Sequence, residues 1–383
     1  MALSSFRPHH LTALRDEARR RLPRFVFDFV DGAAHGETGL ALNRAAFDAV
    51  RLLPRILCSR DVRDTGVTLF GTHYAAPFGI APIGMANVIA PGTDLALARA
   101  AAAANIAYAL STAATTSIET IAEAAPGSWF QLYVGRDAAV SDDLLRRAEA
   151  AGCPVLIVTG DVPAPGKRVR DLVNGFALPF RLSPSIVSAM LAHPGWGWRM
   201  AREGGPRFAN LASYAGSGAS AYALARFMAS QSSARLDWDL LREIRQRWSR
   251  PMLLKGVLHP ADAVKAREIG VDGIVVSNHG ARQLDAALAP IAALPAVRAA
   301  VGEGVPVLLD GGVRSGEDIA RALILGADMV LLGRPFLYAV AAMGRMRGPP
   351  WVIETLVDEF DRALAHLGCV GAADLDRALL ASG

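Results

Sequence analysis

A histidine and an arginine stand three residues apart directly behind an apolar run in "VVSNHGARQLD" (275–285). Ile274, Val275 and Val276 read as the end of a buried strand. The chain then turns polar at Ser277, Asn278, His279, Gly280, Arg282 and Asp285. Imidazole has the unperturbed pKa nearest neutrality, which suits proton removal. A guanidinium offers a planar fork that matches a carboxylate at two points. His279 and Arg282 together suit a substrate with a proton to lose and a carboxylate to hold. A lone histidine at a strand end is ordinarily satisfied by a structural hydrogen bond, and a lone arginine by a surface ion pair. Here Asp161, Lys255 and Arg168 also fall at or just after the ends of apolar runs, which argues for one shared site.

A second chemistry is written in "DGGVRSGEDIARALILGADMVLLGRP" (310–335). Gly311 and Gly312 let backbone N–H groups approach an anion, and Arg314 adds a charge. "SGEDIARAL" starts a helix, while Gly333 and Arg334 close the site from the next run. Barrel enzymes commonly bind a phosphate between their last two strands for these reasons. The glycine-rich "GSGASA" (216–221) mimics a dinucleotide fingerprint but follows no strand, so it carries no such reading.

These groups need elements to hold them. Eight short apolar runs recur: "FGIAPIG" (78–84), "AYALST" (107–112), "WFQLYV" (129–134), "VLIVTGD" (155–161), "MLLKG" (252–256), "GIVVSN" (273–278), "VPVLLDGG" (305–312) and "DMVLLG" (328–333). Between them lie amphipathic stretches such as "SDDLLRRAEAAG", "WDLLREIRQRW" and "PADAVKAREIG", with Ser, Asp or Pro at starts and Gly at ends. Buried strands alternating with helices predict a parallel sheet, and eight units predict an α/β fold of the closed (β/α)8 TIM-barrel type. Each run turns polar or glycine-bearing at its C-terminal end, at Gly84, Ser111, Gln131 and Tyr133, Thr159 and Asp161, Lys255, His279, Asp310 and Arg334. Barrel active sites sit on that face. Residues 1–77 are expected to form an N-terminal helical cap and a barrel-bottom segment. The barrel itself is expected over 78–350, with a long insertion at 164–236, and C-terminal helices over 351–383.

Composition narrows the classes. The chain has 383 residues, 52% of them hydrophobic, which is enough for a large core. A net charge of +4, with scattered cations, is no nucleic-acid footprint. Cys58, Cys153 and Cys369 are too few and too far apart for a disulfide framework or zinc site, so a reducing compartment and no metal are expected. "MALSSFRPHHLTALRDEARRRLPRF" has no apolar core of a secretory signal, and no run is long and apolar enough to span a membrane.

"SNHGARQLD", "FQLYV", "DGGVRSG" and "LLGRP", with "RLPRFVFDFVDGAA" and "GRPFLYAVAAMG" near the ends, resemble the FMN-dependent α-hydroxy acid dehydrogenase/oxidase family. "GTDLALARAA", "LSTAATTSIE", "TGDV…GKRVRD" and "HPGWGW" resemble most closely its (S)-mandelate and respiratory L-lactate dehydrogenase members. The resemblance implies oxidation of an (S)-2-hydroxy acid to the 2-keto acid, with the electrons passing through FMN to a quinone, another carrier or O2. It also implies a homo-oligomer, expected to be a tetramer. His279 would be the active-site base, hydrogen-bonded to Asp161. Arg282 and Arg168 would hold the substrate carboxylate, with Tyr133 on the carboxylate or hydroxyl. Lys255 would sit near the flavin N1 and O2. Ser111, Gln131 and Thr159 would bond the ring edge, and Ala81, Pro82, Ile83 and Gly84 would line one flavin face. Asp310 would take the ribityl hydroxyls, with Ser277 also in the cofactor set. Gly311, Gly312, Arg314, Gly333 and Arg334 would hold the phosphate.

The match departs at "VFDFV", where Phe29 stands in place of a family tyrosine whose hydroxyl bonds the substrate carboxylate. One hydrogen bond, worth roughly 0.5–1.5 kcal/mol, is thereby missing. Either the two arginines suffice or the substrate is larger or derivatised. Ala113 replaces a bulky aromatic of glycolate oxidase and opens room for an aryl or extended group. Gly84 is a glycine where the oxidases tend to carry alanine, a vote for poor oxygen reactivity.

In the insertion, residues 176–207 carry Arg181, Arg199, Arg202 and Arg207, with Glu203 the only acid. Ile186, Val187, Met190 and Leu191 share a helical face, and Trp196 and Trp198 suit a lipid headgroup region. The segment reads as a membrane-surface element or as a lid over the substrate channel, and the arginines and tryptophans favour the membrane. The expected location is cytoplasmic, at the inner face of the membrane. Competing readings are a peroxide-producing oxidase and an FMN-dependent isomerase. The latter needs no carboxylate-binding arginine after the histidine, so "HGARQLD" speaks against it.

Overall fold

Each of the eight apolar runs becomes a barrel strand in the computed structural model, which describes residues 6–58, 61–176, 183–215 and 235–381. An antiparallel hairpin, β1 (Val67–Leu69) and β2 (Thr72–Tyr74), comes first. The closed parallel barrel follows: β3 (Phe78–Ile80), β4 (Ala107–Ser111), β5 (Trp129–Leu132), β6 (Leu156–Thr159), β7 (Met252–Val257), β8 (Gly273–Val276), β9 (Val307–Asp310) and β10 (Met329–Leu332), with β10 pairing back onto β3. The fold is a (β/α)8 TIM barrel. Several of the intervening helices start on side-chain caps: Ser315 accepts from the Asp318 N–H at 3.1 Å, and Asp237 from that of Leu240 at 2.8 Å.

Strand alternation builds the site. Side chains two apart share a face. One set, including Ala107, Ala109, Trp129, Ile157, Leu253, Val275 and Leu308, forms an apolar cluster inside the barrel. The next residue of the same parity is polar in each of these strands: Ser111 after Ala109, Gln131 after Trp129, Thr159 after Ile157, Lys255 after Leu253, Ser277 after Val275 and Asp310 after Leu308. The mouth is therefore a polar layer laid directly on an apolar plug. At the other end Leu69 and Tyr74 of the hairpin join the interior cluster, and the Trp129 indole donates to the Tyr74 hydroxyl at 3.0 Å.

Three N-terminal helices, Thr12–Arg21, Arg24–Asp31 and Thr38–Ala49, reach the mouth side, where Phe29 and Val30 enter the cavity wall. A long helix, Gly348–Leu367, packs against Gly316–Ile324 and Arg334–Met343.

Between β6 and β7 the insertion carries helices Val169–Val173, Pro184–Ala192 and Pro194–Glu203 before the crossover helix Trp238–Arg247. It corrects one expectation. Trp196 is no headgroup residue: it is 2% exposed, edge-on to Phe25 at 5.7 Å, and donates to the Val88 carbonyl at 2.9 Å. Ile186 is buried as well, and Met190 is half-buried, so the four-residue helical face divides. Val187, Leu191 and Trp198 remain exposed. Arg181 and "GSGASA" (216–221) lie outside the described residues. Among the described residues no helix is long and apolar enough to cross a membrane, and no cluster of His, Cys, Asp or Glu would hold a metal.

Candidate active site

A cavity of about 460 Å³ opens at the C-terminal mouth, within the range of small-molecule sites. Of the expected residues, Phe29, Ala81, Pro82, Ile83, Gly84, Tyr133, Thr159, Arg168, Lys255, His279, Arg282, Asp310, Gly311, Gly312, Arg314, Gly333 and Arg334 line it. Asp161, Ser111, Gln131 and Ser277 stand behind the wall and act on those that do.

His279 follows β8 in a left-handed conformation, φ 58°, which turns its imidazole into the mouth. Its Nδ1 lies 3.0 Å from Asp161 Oδ1, and its Nε2 lies 3.2 Å from the Tyr133 hydroxyl. Burial pushes the Asp161 carboxyl up, but the His279 charge, the hydrogen bond between them and Lys255 outweigh it, so the group lies below its ordinary value. Asp161 is thus a carboxylate at neutral pH, set to stabilise an imidazolium. Its Oδ2 is buried and unpartnered among the described residues. Gly256, at φ +99°, permits this approach, since a Cβ there would lie 2.5 Å from the Asp161 side chain. Burial raises the Tyr133 phenol to about 12, so it stays a protonated donor.

Two loops bring the arginines together. Arg282 Nη1 donates to the carbonyls of Phe29 at 2.8 Å and Gly32 at 3.0 Å, and its guanidinium lies 5.2 Å from the centre of the Phe29 ring. Burial, then Arg168 and Arg334, push its pKa down to about 9. A guanidinium holds its proton through the working range, so an incoming anion is what relieves that pressure. Arg168 leans 3.7 Å from Asp171. Among the described residues, neither Arg282, Arg314 nor Arg334 has a carboxylate within ion-pair distance. Arg334 instead donates to the carbonyls of Val30 (3.1 Å), Gly32 (2.9 Å) and Gly280 (3.0 Å). Burial pushes Arg314 down to about 10.

The polar layer is tied into two hydrogen-bonded chains. Ser111 Oγ donates to Gln131 Oε1 at 2.8 Å, and Gln131 Nε2 to Thr159 Oγ1 at 2.9 Å. Lys255 Nζ donates to Ser277 Oγ at 2.8 Å and pairs with Asp310 Oδ2 at 2.9 Å, while Ser277 also bonds Asp310. Burial alone would lower the lysine pKa, but Asp310 and Asp161 raise it above its ordinary value, so the ammonium persists. Gly311 and Gly312, at φ 97° and 100°, turn the backbone of the anion end. A Cβ on Gly312 would come within 2.9 Å of the Phe47 ring.

The family model for FMN-dependent dehydrogenases matches residues 18–382. The chain belongs to this family. An L-lactate dehydrogenase of Caulobacter vibrioides (strain NA1000 / CB15N) is 41% identical over 372 residues, 97% of either chain. One from Caulobacter sp. (strain K31) is 40% identical over the same length and coverage. The solved structure of a monotopic membrane protein, (S)-mandelate dehydrogenase, superposes with a TM-score of 0.94 at 36% identity, covering 99% of this chain and 100% of that one. A mandelate oxidase superposes with a TM-score of 0.83 at 36% identity, over 96% and 97%. FMN is the family's cofactor, and the cavity fits it. One end has half-buried guanidinia without carboxylates beside positive-φ glycines, as a phosphate requires. The middle has a buried lysine and a row of hydrogen-bonding side chains, as a polar ring edge requires.

Sequence reasoning missed several participants. The carbonyls of Phe29, Val30 and Gly32 hold two site arginines, and no side-chain pattern announces a backbone acceptor. Val140, Leu144, Phe208, Leu211 and Leu236 also line the cavity. Their apolar character alone would equally suit the core.

Proposed function

We propose that the chain oxidises an (S)-2-hydroxy acid with an aryl or extended apolar side chain to the 2-keto acid, and passes the electrons to a quinone or similar carrier. The observation that carries this reading is the His279–Asp161 pair facing two arginines in one cavity. Arg282 and Arg168 bind the carboxylate, which orients C2 and its hydroxyl toward His279. Nδ1 is committed to Asp161, so Nε2 takes the substrate proton, with the Tyr133 hydroxyl beside it. Asp161 stabilises the resulting imidazolium by charge and hydrogen bond. Bound FMN supplies the two-electron acceptor. Arg314, Arg334, Gly311, Gly312 and Gly333 would hold its phosphate and Asp310 its ribityl chain. Lys255, with Ser111, Gln131, Thr159 and Ser277 behind or beside it, would serve the ring edge. Ala81, Pro82, Ile83 and Gly84 would face the ring.

The side-chain preference rests on Ala113, which lines the cavity together with the apolar Val140, Leu144, Phe208 and Leu211. Membrane contact is supported by exposed Val187, Leu191 and Trp198, with Arg202 and Arg207 nearby in sequence. Assembly as a homotetramer is part of the proposal, supported by Ile56, Leu57 and Val62, each at least 80% exposed. An oxidase is the second reading, carried by the likeness to mandelate oxidase.

The test is product analysis with a panel of (S)-mandelate, (S)-lactate and glycolate, each with a soluble quinone or with air alone. Phenylglyoxylate formed fastest from mandelate, and only with the quinone, agrees with the proposal. Peroxide in air selects the oxidase reading, and no keto acid from any substrate rejects both.

A further inference from the structure

We propose that Arg170 is a positioning residue that holds the Arg168 loop in its substrate-binding place. The proposal rests on the reading of Arg168 and Arg282 as carboxylate ligands.

The loop after β6 needs such a tie. Helix Val169–Val173, which follows Arg168 directly, contains no buried residue, and its Leu172 and Val173 are 66% and 75% exposed. Apolar burial, the usual fixative of a helix, contributes little here. Polar ties replace it. Arg170 Nη1 lies 2.8 Å from Asp31 Oδ2 and 3.5 Å from Asp28 Oδ1, and Nη2 bonds Glu37. Asn174 adds a 2.6 Å bond to Asp28. The backbone joins in at Lys167, whose carbonyl accepts from the His35 N–H at 2.8 Å, and at Gly166, whose N–H donates to Gln283 Oε1 at 2.8 Å.

The acids that hold Arg170 belong to the same segment whose carbonyls hold Arg282. Asp28, Asp31 and Glu37 flank Phe29 and Gly32, the two acceptors of Arg282. Asp31 is itself fixed, taking Arg15 at 2.6 and 2.8 Å and the Tyr338 hydroxyl at 2.7 Å. One rigid turn thus indexes both arginines, Arg282 directly through its backbone and Arg168 through Arg170 two residues on. Arg170 does not line the cavity, so its effect on substrate is indirect, through the placement of Arg168 and of the turn that also holds Arg282.

The experiment compares flavin-loaded wild type with Arg170→Met and Arg170→Lys. It reads steady-state kinetics, flavin content, and hydrogen exchange of peptides covering 166–176. In Arg170→Met, KM for a free 2-hydroxy acid should rise roughly ten- to a hundredfold, with kcat changed much less. Exchange over 166–176 should quicken while flavin content holds. Arg170→Lys, which still reaches one acid, should recover most of the KM. Wild-type KM or unchanged exchange in Arg170→Met overturns the proposal. So does a parallel fall of kcat, flavin content and folding, which would mark a general structural role. If the wild type oxidises no 2-hydroxy acid, the functional reading fails separately, and the exchange result alone then decides whether Arg170 fixes the loop.

Discussion

Phe29 concentrates the residue-scale question. It lines the cavity, stacks on Phe176 at 4.4 Å and lies under the Arg282 guanidinium. It contacts the arginine but has no hydroxyl to offer a carboxylate. Phe29→Tyr should therefore lower KM for small hydroxy acids about two- to tenfold, the value of one added hydrogen bond, as read in steady-state kinetics. An unchanged KM would mean that the ring does not face the carboxylate. His279→Ala should keep its flavin and lose roughly a hundred- to ten-thousandfold in the rate of flavin reduction, the usual weight of a general base. Retained activity in that variant would remove His279 from the chemistry. At this scale the sequence was legible where a side chain's type limits its use, as with His279, Arg282 and Lys255. It was silent on the carbonyls of Phe29 and Gly32, because any residue supplies one.

The barrel strands were legible at the element scale because buried parallel strands are short, apolar and β-branched, and because in six of the eight runs the polar residue at the end keeps the inward parity. The hairpin at 67–74 was not, since three-residue strands leave no periodicity to read. Trp196 was misread for another reason: its partners, Phe25 and the Val88 carbonyl, lie far away in sequence, and helical spacing says nothing of them. Trp196→Ala should cost about 3–5 kcal/mol in denaturant unfolding, whereas the exposed Trp198→Ala should cost almost nothing. Equal costs would contradict the packing. Asp31 supplies a pH test of how the N-terminal turn is held. Burial pushes its carboxyl up, but Arg15, Tyr338 and Arg170 hold it well below the usual carboxylate range. A depressed folded pKa gives stability that is fully present above the unfolded value, near 3.9, and is lost as pH falls through the folded one. Asp31→Asn should thus cost roughly 3 kcal/mol at pH 7, at the low end for a buried pair because Arg15 remains half in water. The gap to wild type should narrow below about pH 4, and a pH-independent gap would rule out the charge as its source.

The whole molecule divides its labour by face. The hairpin plugs one end of the barrel, and the N-terminal turn, the insertion and the last barrel loops enclose the other. The insertion is anchored by Trp196 and leaves Val187, Leu191 and Trp198 outward. Sedimentation with anionic vesicles should pull down the wild type, and Leu191→Asp with Trp198→Ser should weaken that partitioning without loss of flavin. Undiminished partitioning would move the contact elsewhere. The central claim, however, is the reaction, and anaerobic mixing of the flavin-loaded protein with (S)-mandelate, followed by flavin absorbance, tests it most directly. Rapid bleaching by the wild type, abolished in His279→Ala, is the predicted result. A flavin that dithionite bleaches but no free 2-hydroxy acid does would contradict it.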